Sequence, residues 1–431
     1  MGDTANDAAI WAEWERRRTS LAGSPLVPAP AALPESGKIP PREWLYGTRL
    51  IRSFVSVLAA PGGVGKSALA LGIAVALATG RPLLGERVHH SVPVWVLNLE
   101  DPLDELNRRL AALLRLHCLA DAEVAGRLYL NSGRARRLEM AAAEGDGVAH
   151  PDRERLIAAA KGLGIGALVV DPFVKSHRLD ENSNMHMDAA ATAWAEVAEA
   201  TGAAVLLVHH VRKGPGGATA GGAGADVDIT RGAKSLTDAA RAAFLLSVMT
   251  AEEARNLSVP ERERWRHVRL DDAKANLAPR AETARWFRLE SVALGNATAA
   301  YPSGDTVAAI AAWKPPSPFR DLTPADCNRA LDLIAAGPGG GAAYAAWRRG
   351  AYAGERWAGR VLMREFGLDQ GEATRVIAAW MRSGVLEEAT YRDGRQRKAR
   401  LGVRVVDAKR PTDSAPATDS TPTTANEGNK S

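Results

Sequence analysis

A run of small residues followed by lysine and serine is the first feature of the sequence that points to chemistry. It follows the apolar stretch 53–59 and precedes a helical pattern over 66–79. Backbone N–H groups in such a turn can surround phosphates, and the helix start adds a positive dipole end. We therefore predict a phosphate-binding loop for ATP, in which Lys66 reaches the β and γ oxygens and the Ser67 hydroxyl ligates Mg²⁺. The nucleotide-binding residues are Pro61, Gly62, Gly63, Val64, Gly65, Lys66 and Ser67. The usual first glycine is Ala60 here, which fits if its φ is negative; the alternative is a glycine-rich turn without a ligand.

Two carboxylates follow apolar strand patterns. Glu100 comes directly after residues 95–99, and Asp171 comes directly after residues 167–170. Parallel strands place their carboxyl ends at one edge of a sheet, where ligands bind. Asp171 is predicted to hold the Mg²⁺ shell through water. Because Pro172 rather than an acid follows it, Glu100 is favoured as the group that activates water for attack on the γ-phosphate. For each acid the alternative is a charge that stabilises the start of the next helix.

A histidine pair ends a later apolar run, residues 203–208. Either His209 or His210 could donate a hydrogen bond to the γ-phosphate. We expect one of the two to be an ordinary core histidine, and a metal site is disfavoured because no third ligand has suitable spacing. The loop 214–224 that follows is rich in Gly and Ala, and it is either functional or merely disordered.

Short apolar runs alternate with longer helical patterns from residue 53 to residue 290. This alternation predicts an α/β fold with a mainly parallel sheet covered by helices on both faces. Prolines near the N-terminus and an Ala/Pro/Ser-rich break after the core predict the boundaries of the domains. They are a flexible N-terminal arm or linker (1–41), the core (42–294), a linker (295–320), a small α+β module (321–406) and a disordered tail (407–431).

Composition excludes several classes of protein. The 431 residues are 46% hydrophobic and carry a net charge of +5, which is typical of a soluble globular protein of two or three domains. Two distant cysteines exclude a disulfide scaffold and a zinc finger. The longest apolar run is too short to span a bilayer, and no secretory signal is evident. We therefore expect a cytoplasmic protein that does not contact a membrane.

The pattern of the C-terminal module predicts helices over 324–336, 354–366 and 369–382, followed by a hairpin that turns at Asp393-Gly394. This order predicts a winged-helix-like module. The segment 391–410 contains eight basic and two acidic residues, which suits a phosphate backbone; the alternative is charge that protects an exposed edge strand. The possible DNA-binding residues are Lys213, Arg395, Arg397, Lys398 and Arg400.

Taken together, these motifs resemble the RecA-like ATPases, and most closely the RepA-type hexameric replicative helicases of plasmids and phages. The resemblance covers about residues 42–290. It rests on the phosphate loop, Glu100, Asp171 without a following acid, the histidine pair, and Arg241 in the segment 235–241. It implies that His210 contacts the γ-phosphate and that Arg241 enters the nucleotide site of a neighbouring subunit. The alternative for Arg241 is a surface arginine on an Ala-rich helix.

The sequence thus predicts a cytoplasmic, Mg²⁺-dependent ATPase that forms a homo-oligomeric ring, expected to be a hexamer, and acts on single-stranded DNA. Two other functions stay open. One is an ATP-switched regulator that binds duplex DNA through the C-terminal module, and the other is a recombination or repair loader without unwinding activity.

Overall fold

The computed structural model describes residues 36–412 apart from 146, 212–235, 280, 282, 320–321, 340–341, 346–353 and 393–398. Contacts divide the chain into two units, residues 1–43 and 44–431. In the first unit the described residues contain a 3₁₀ turn at Ser36–Lys38. The strands and α-helices of the described residues all lie in the second unit.

Sixteen strands are present among the described residues. They are β1 (Trp44–Tyr46), β2 (Leu50–Ile51), β3 (Val55–Ala60), β4 (Val94–Asn98), β5 (Leu128–Ser132), β6 (Ala141–Glu144), β7 (Gly147–Ala149), β8 (Ala167–Asp171), β9 (His177–Arg178), β10 (Ala204–His210), β11 (Ala242–Val248), β12 (His267–Ala275), β13 (Arg285–Ala293), β14 (Thr306–Trp313), β15 (Leu386–Arg392) and β16 (Ala399–Val405). Nine of them form the central sheet in the order β14-β13-β12-β11-β3-β10-β8-β4-β5. From β11 to β5 neighbouring strands run parallel, and β12, β13 and β14 add an antiparallel extension. The predicted α/β fold with a mainly parallel sheet is confirmed.

Helices cover both faces of this sheet. The α-helices are α1 (Lys66–Thr79), α2 (Leu103–Leu116), α3 (Arg153–Gly162), α4 (Asn184–Thr201), α5 (Ala251–Asn256), α6 (Pro324–Ala336), α7 (Gly359–Phe366) and α8 (Gln370–Arg382). One apolar cluster joins α1 and α2 to the sheet, and a second joins α3 and α4 to its other face. Helix α1 is apolar around almost its whole circumference, because it lies between the sheet and further apolar side chains. None of the described helices combines the length and apolarity needed to cross a membrane.

A buried arginine ties the first strands to the sheet. The side chain of Arg49 is 6% exposed, and its guanidinium pairs with Glu86 at 3.3 Å and with Asp272 on β12 at 2.8 Å. The Ser56 hydroxyl donates to the carbonyl of Arg49 at 2.7 Å. The arginine and both carboxylates are desolvated. Loss of Arg49 would leave the Asp272 carboxylate as an uncompensated buried charge, whereas Glu86 would keep its pair with Arg285 at 2.6 Å.

The prediction of a linker over residues 295–320 is wrong for residues 306–313. Strand β14 lies within it and pairs with β13 along its whole length, from Trp286↔Trp313 to Ala293↔Thr306. The core therefore extends beyond residue 294. Half of the residues of β14 are alanine, and it lacks a long run of β-branched residues, so its composition resembles a loop. It is stable as a strand because Ile310 is fully buried against the α1 side of the sheet.

The C-terminal segment has its own apolar core, which includes Trp357 and Trp380. Its helices α6, α7 and α8 are followed by the antiparallel pair β15–β16, with Leu386 opposite Val405. These elements follow the predicted order, while the winged-helix assignment itself stays a prediction. Arg375 on α8 donates to the Ser258 hydroxyl at 3.1 Å, which connects this segment to the sheet domain.

The boundary of the predicted disordered tail is also corrected. Residues Asp407–Lys409 form a 3₁₀ turn. Arg410 pairs with Asp407 at 2.7 Å and with Asp332 on α6 at 2.8 Å. Residues 407–412 therefore do not belong to a disordered tail, and residues 413–431 lie outside the described residues.

Candidate nucleotide site

The predicted phosphate loop connects the end of β3 to the start of α1. Gly63 and Gly65 have φ of 77° and 91°, a left-handed region that other residues rarely adopt. A Cβ at Gly63 would meet no atom within 4 Å, whereas one at Gly65 would lie 3.1 Å from Leu289 on β13. Ala60 is the last residue of β3 and does not have a positive φ, so its place in the loop is compatible with a side chain. The N–H groups of the first turn of α1 have no helical partner and remain available to an anion.

Lys66 lies among carboxylates under this loop. It is 6% exposed. Burial lowers the pKa of Lys66, while the charges of Asp171 and Glu100 oppose that shift. The ammonium group is therefore weakly solvated and is influenced by the charges of both acids, and there it can compensate the charge of a polyphosphate.

Ser67 and Asp171 meet directly. Asp171 is the last residue of β8 and is 4% exposed. Burial raises the pKa of Asp171, and the opposing effects are a hydrogen bond from Ser67 and the charge of Lys66. A serine hydroxyl beside a buried carboxylate at a parallel strand end is a donor set that suits Mg²⁺, with water and phosphate oxygens completing the shell. These residues fit the predicted magnesium–nucleotide complex.

Glu100 follows β4 by two residues, and Asn98 fixes the backbone beneath it. Asn98 is 4% exposed and lies opposite Asp171 in the β4–β8 register. Its side-chain oxygen accepts hydrogen bonds from the N–H of Glu100 at 3.1 Å and from the N–H of Asp101 at 2.8 Å. The Glu100 side chain is exposed and contributes to the electrostatic environment of Lys66, Asp171 and His210.

The alternative role for Glu100, a charge that stabilises helix α2, is filled by other residues. Helix α2 has Pro102 as its N-cap, and the acids of its first turn are Asp104 and Glu105. Asp101 instead pairs with Arg109 at 2.8 Å, and Arg109 also pairs with Glu105 at 3.1 Å. Glu100 does not belong to these pairs, and its charge acts on Lys66, Asp171 and His210.

Sequence reasoning missed Asn98, which holds the backbone of Glu100, and Arg109, which pairs with Asp101 and Glu105. These two residues line one small cavity together with the predicted Ser67 and Asp171. Two signals in the sequence could have revealed Asn98 and Arg109. One is a polar residue, Asn98, at the end of an apolar strand two positions before an acid, and the other is the Glu105–Arg109 spacing of i, i+4 on a helix.

The two histidines at the end of β10 differ in environment. His210 lies opposite Ala60 in the β10–β3 register, at the same edge as the phosphate loop. Burial and the charge of Lys66 lower the pKa of His210, while Glu100 and Glu181 raise it. His209 is a core residue, 8% exposed, with its ring 6.3 Å from that of Phe173. Its Nδ1 has no partner among the described residues, so it is less well satisfied than an ordinary core histidine.

Arg241 lies at the opposite edge of the sheet. Its N–H donates to the carbonyl of Val55, the first residue of β3, at 3.1 Å. The length of β3, about 17 Å for six residues, separates this position from the phosphate loop. The guanidinium lies over the ring of Phe54, 5.9 Å from its centroid. Within one chain the structure therefore does not bring Arg241 to the residues at the phosphate loop.

The predicted DNA-binding residues are mostly outside the described residues. This applies to Lys213, Arg395, Arg397 and Lys398, and to the loop 214–224. Arg400 is described and exposed on β16, opposite Tyr391. Their role in DNA binding stays a prediction.

Two comparisons with known proteins concern the core of the chain. A family model described as an AAA domain matches residues 25–216, a range that includes the phosphate loop, Glu100, Asp171 and His210. Among solved structures, a KaiC-like protein from the hyperthermophilic archaeon Pyrococcus horikoshii is 12% identical, with a TM-score of 0.38; the match covers 61% of this chain and 91% of that one. The part of the chain that contains the phosphate loop is thus similar to an AAA domain.

Proposed function

We propose that the chain is a Mg²⁺-dependent ATPase motor that acts on single-stranded DNA as a homo-oligomeric ring, most simply a hexamer. A replicative DNA helicase of the RepA type, from a plasmid, phage or other mobile element, is the function that these features support best. The observation that carries the proposal is the convergence of Lys66, Ser67, Asp171 and Glu100 at the carboxyl edge of the parallel sheet.

Each of these residues has a distinct task in the proposed reaction. Lys66 neutralises the β and γ oxygens, and Ser67 and Asp171 hold the hydrated magnesium ion. The bound Mg²⁺ neutralises charge on the phosphate oxygens. Glu100 accepts a proton from the attacking water, and His210 donates a hydrogen bond to the γ-phosphate. Asn98 keeps the Glu100 backbone in a fixed position.

The position of Arg241 supports hydrolysis between subunits. A residue at the amino end of β3 is too far from its own phosphate loop to touch the nucleotide. A head-to-tail contact between identical chains brings that edge of one subunit against the site of the next, and such a contact closes into a ring when the rotation allows it. Arg241 then stabilises the charge that develops on the transferring phosphoryl group.

ATP turnover with and without a single-stranded oligonucleotide tests the motor. Glu100→Gln should lower kcat by about 10²- to 10⁴-fold while nucleotide binding is retained, and Lys66→Ala should lose nucleotide binding. Arg262→Ala, a change at an exposed arginine remote from the site, is the control and should behave like the wild type. Oligonucleotide-stimulated turnover that persists in Glu100→Gln or Lys66→Ala would refute the assigned roles.

Mixing variants tests the ring. Lys66→Ala and Arg241→Ala should each be inactive alone. In an equal mixture, about one quarter of the interfaces combine an intact phosphate loop with an intact neighbouring arginine, so turnover should return to about that fraction of the wild type. No recovery on mixing would exclude Arg241 as a residue that acts in the neighbouring site.

A forked-duplex assay separates the motor from the two rival functions. A helicase should separate the strands in an ATP-dependent way. Tight duplex binding without strand separation would favour the ATP-switched regulator, and coating of single strands without separation would favour the loader.

A further inference from the structure

We propose that the loop after β5, residues 133–137 (the β5 loop), binds the phosphate backbone of single-stranded nucleic acid and transmits this contact to Glu100. The inference rests on the proposed function and extends it, because it assigns a site and a means of regulation to the core itself. No motif in the sequence marks this loop, and its importance emerges only from the contacts of the folded chain.

The β5 loop is bonded to the segment that carries Glu100. Strands β4 and β5 are parallel and end together, with Asn98 opposite Ser132. Three hydrogen bonds then join the two segments, from Arg134 Nε to the Glu100 carbonyl (2.7 Å), from the Gly133 N–H to the Asn98 carbonyl (2.7 Å) and from the Ser132 hydroxyl to the Asp101 carbonyl (2.6 Å). The carbonyl of Glu100 is thus held by a side chain of the β5 loop. A displacement of this loop changes where the carboxylate of Glu100 points.

Glycine at position 133 makes this close approach possible. A Cβ at Gly133 would lie 2.6 Å from the Cα of Leu99, the residue directly before Glu100. The clash would be with backbone, which cannot rotate away as a side chain can. The two segments therefore behave as one packed unit, and small movements pass between them.

The same loop carries three exposed arginines within four residues, Arg134, Arg136 and Arg137. Arg136 pairs with Asp152 at 2.7 Å through a side chain that is 67% exposed. Arg137 forms no hydrogen bond or ion pair within the described part of the chain. Its guanidinium contributes to no internal contact there and faces solvent, where it is available to a partner.

The chemistry of this patch fits a polymer of phosphates. Guanidinium groups bind phosphate through paired N–H donors. Several of them side by side suit repeated anions along a strand better than a single anion, and the phosphates of ATP have their own site at Lys66. The β5 loop lies at the carboxyl edge of the sheet beside Glu100. A nucleic acid strand bound to this loop therefore acts directly on the position of the water-activating carboxylate.

Paired substitutions test the binding step. Arg137→Ala is compared with Arg262→Ala, since Arg262 is also exposed and forms no hydrogen bond or ion pair within the described residues. Arg262 precedes β12, which lies six strand positions from β5 in the central sheet. This spacing separates the two strands by about 29 Å. Affinity for a fluorescent oligothymidylate is measured by anisotropy between 50 and 200 mM salt. Arg137→Ala should weaken binding about three- to tenfold and reduce the slope of log K against log salt by about 0.7, and Arg262→Ala should do neither.

Turnover tests the transmission step. The ratio of ATP turnover with and without oligothymidylate should fall toward one in Arg137→Ala and in Arg134→Ala. Because Arg134 acts through Glu100, Arg134→Ala should have almost no additional effect in the Glu100→Gln background. An arginine that only stabilises the fold would lower the melting temperature in both backgrounds alike and leave this ratio unchanged.

The outcomes separate this inference from the proposed function. If the wild type hydrolyses ATP and responds to DNA while Arg137→Ala and Arg262→Ala bind alike, the β5 loop is not the contact and the motor assignment stands. If the wild type hydrolyses ATP but binds no oligonucleotide, both the inference and the DNA-dependent function are wrong. If Arg137→Ala weakens binding to polyglutamate and not to DNA, the loop recognises an acidic protein surface and the inference is overturned.

Discussion

Replacing Gly133 by alanine should reduce catalysis without touching a catalytic group. The new Cβ would lie 2.6 Å from Leu99 Cα and 2.9 Å from its carbonyl oxygen. Ordinary contact begins at 3.4 Å, so the two backbones must separate by about 0.8 Å beside Glu100. A misplacement of about 1 Å at a reacting group costs on the order of 100-fold in rate. We therefore expect kcat for ATP to fall by about that factor.

The phosphate loop lies three strand positions from β4, so KM for ATP should change little in this variant. Gly162→Ala is the matched control, since a Cβ there meets no atom within 4 Å and the φ of Gly162 is not positive. Overpacking should cost Gly133→Ala about 1–3 kcal/mol of stability, which a melting curve measures separately from turnover. A kcat equal to that of Gly162→Ala in folded protein would refute the argument that the β5 loop positions Glu100.

Three further predictions concern stability. Burial lowers the pKa of His209 to about 4, against 6.5 when unfolded. The unfolded chain therefore binds the proton first, and the contribution of His209 to stability in urea titrations should fall as pH drops from 6.5 toward 4, by about 2 kcal/mol at pH 5. His209→Phe should make the pH dependence of stability less steep without abolishing it, because burial also lowers the pKa of His177 to about 4. Arg49→Ala should cost about 3–5 kcal/mol in chemical unfolding, because the buried carboxylate of Asp272 loses its partner while Glu86 keeps only Arg285, and a near-normal midpoint would contradict this. Asp369→Ala should lower stability by about 1 kcal/mol by removing the cap of α8, whereas Asp369→Asn should retain most of it.

The sequence was informative wherever one signal dominated. Helix α1 begins and ends where predicted, because a glycine-lysine junction precedes it and Gly80 in the left-handed region ends it. Buried strands such as β8 and β10 consist of nearly unbroken apolar residues and were found for that reason. The acids and histidines that follow them were assigned to one edge by the topology of parallel sheets.

The antiparallel extension was harder to predict, because its residues are stabilised by distant partners. Strand β12 contains charged residues that look unsuited to a central strand, yet Asp272 pairs with Arg49, more than two hundred positions earlier in the chain. Likewise Asn98 and Arg134 acquire their importance only when β4 and β5 are brought side by side. Local patterns carry no information on such contacts.

Strand β14 also sets an order of events during synthesis. The side chain of Ile310 packs against Gly72 on α1, where an added Cβ would lie 3.1 Å from it. The carbonyl of Ile310 is hydrogen-bonded to the ring of His117, the residue that directly follows α2. The last residue of β14 leaves the ribosome 246 residues after Ser67, an interval of about 12–50 s at usual elongation rates. During that time the apolar surface of α1 lacks part of its final cover. The apolar cover of α1, the helix that begins at the phosphate loop, is therefore complete only once β14 has been made.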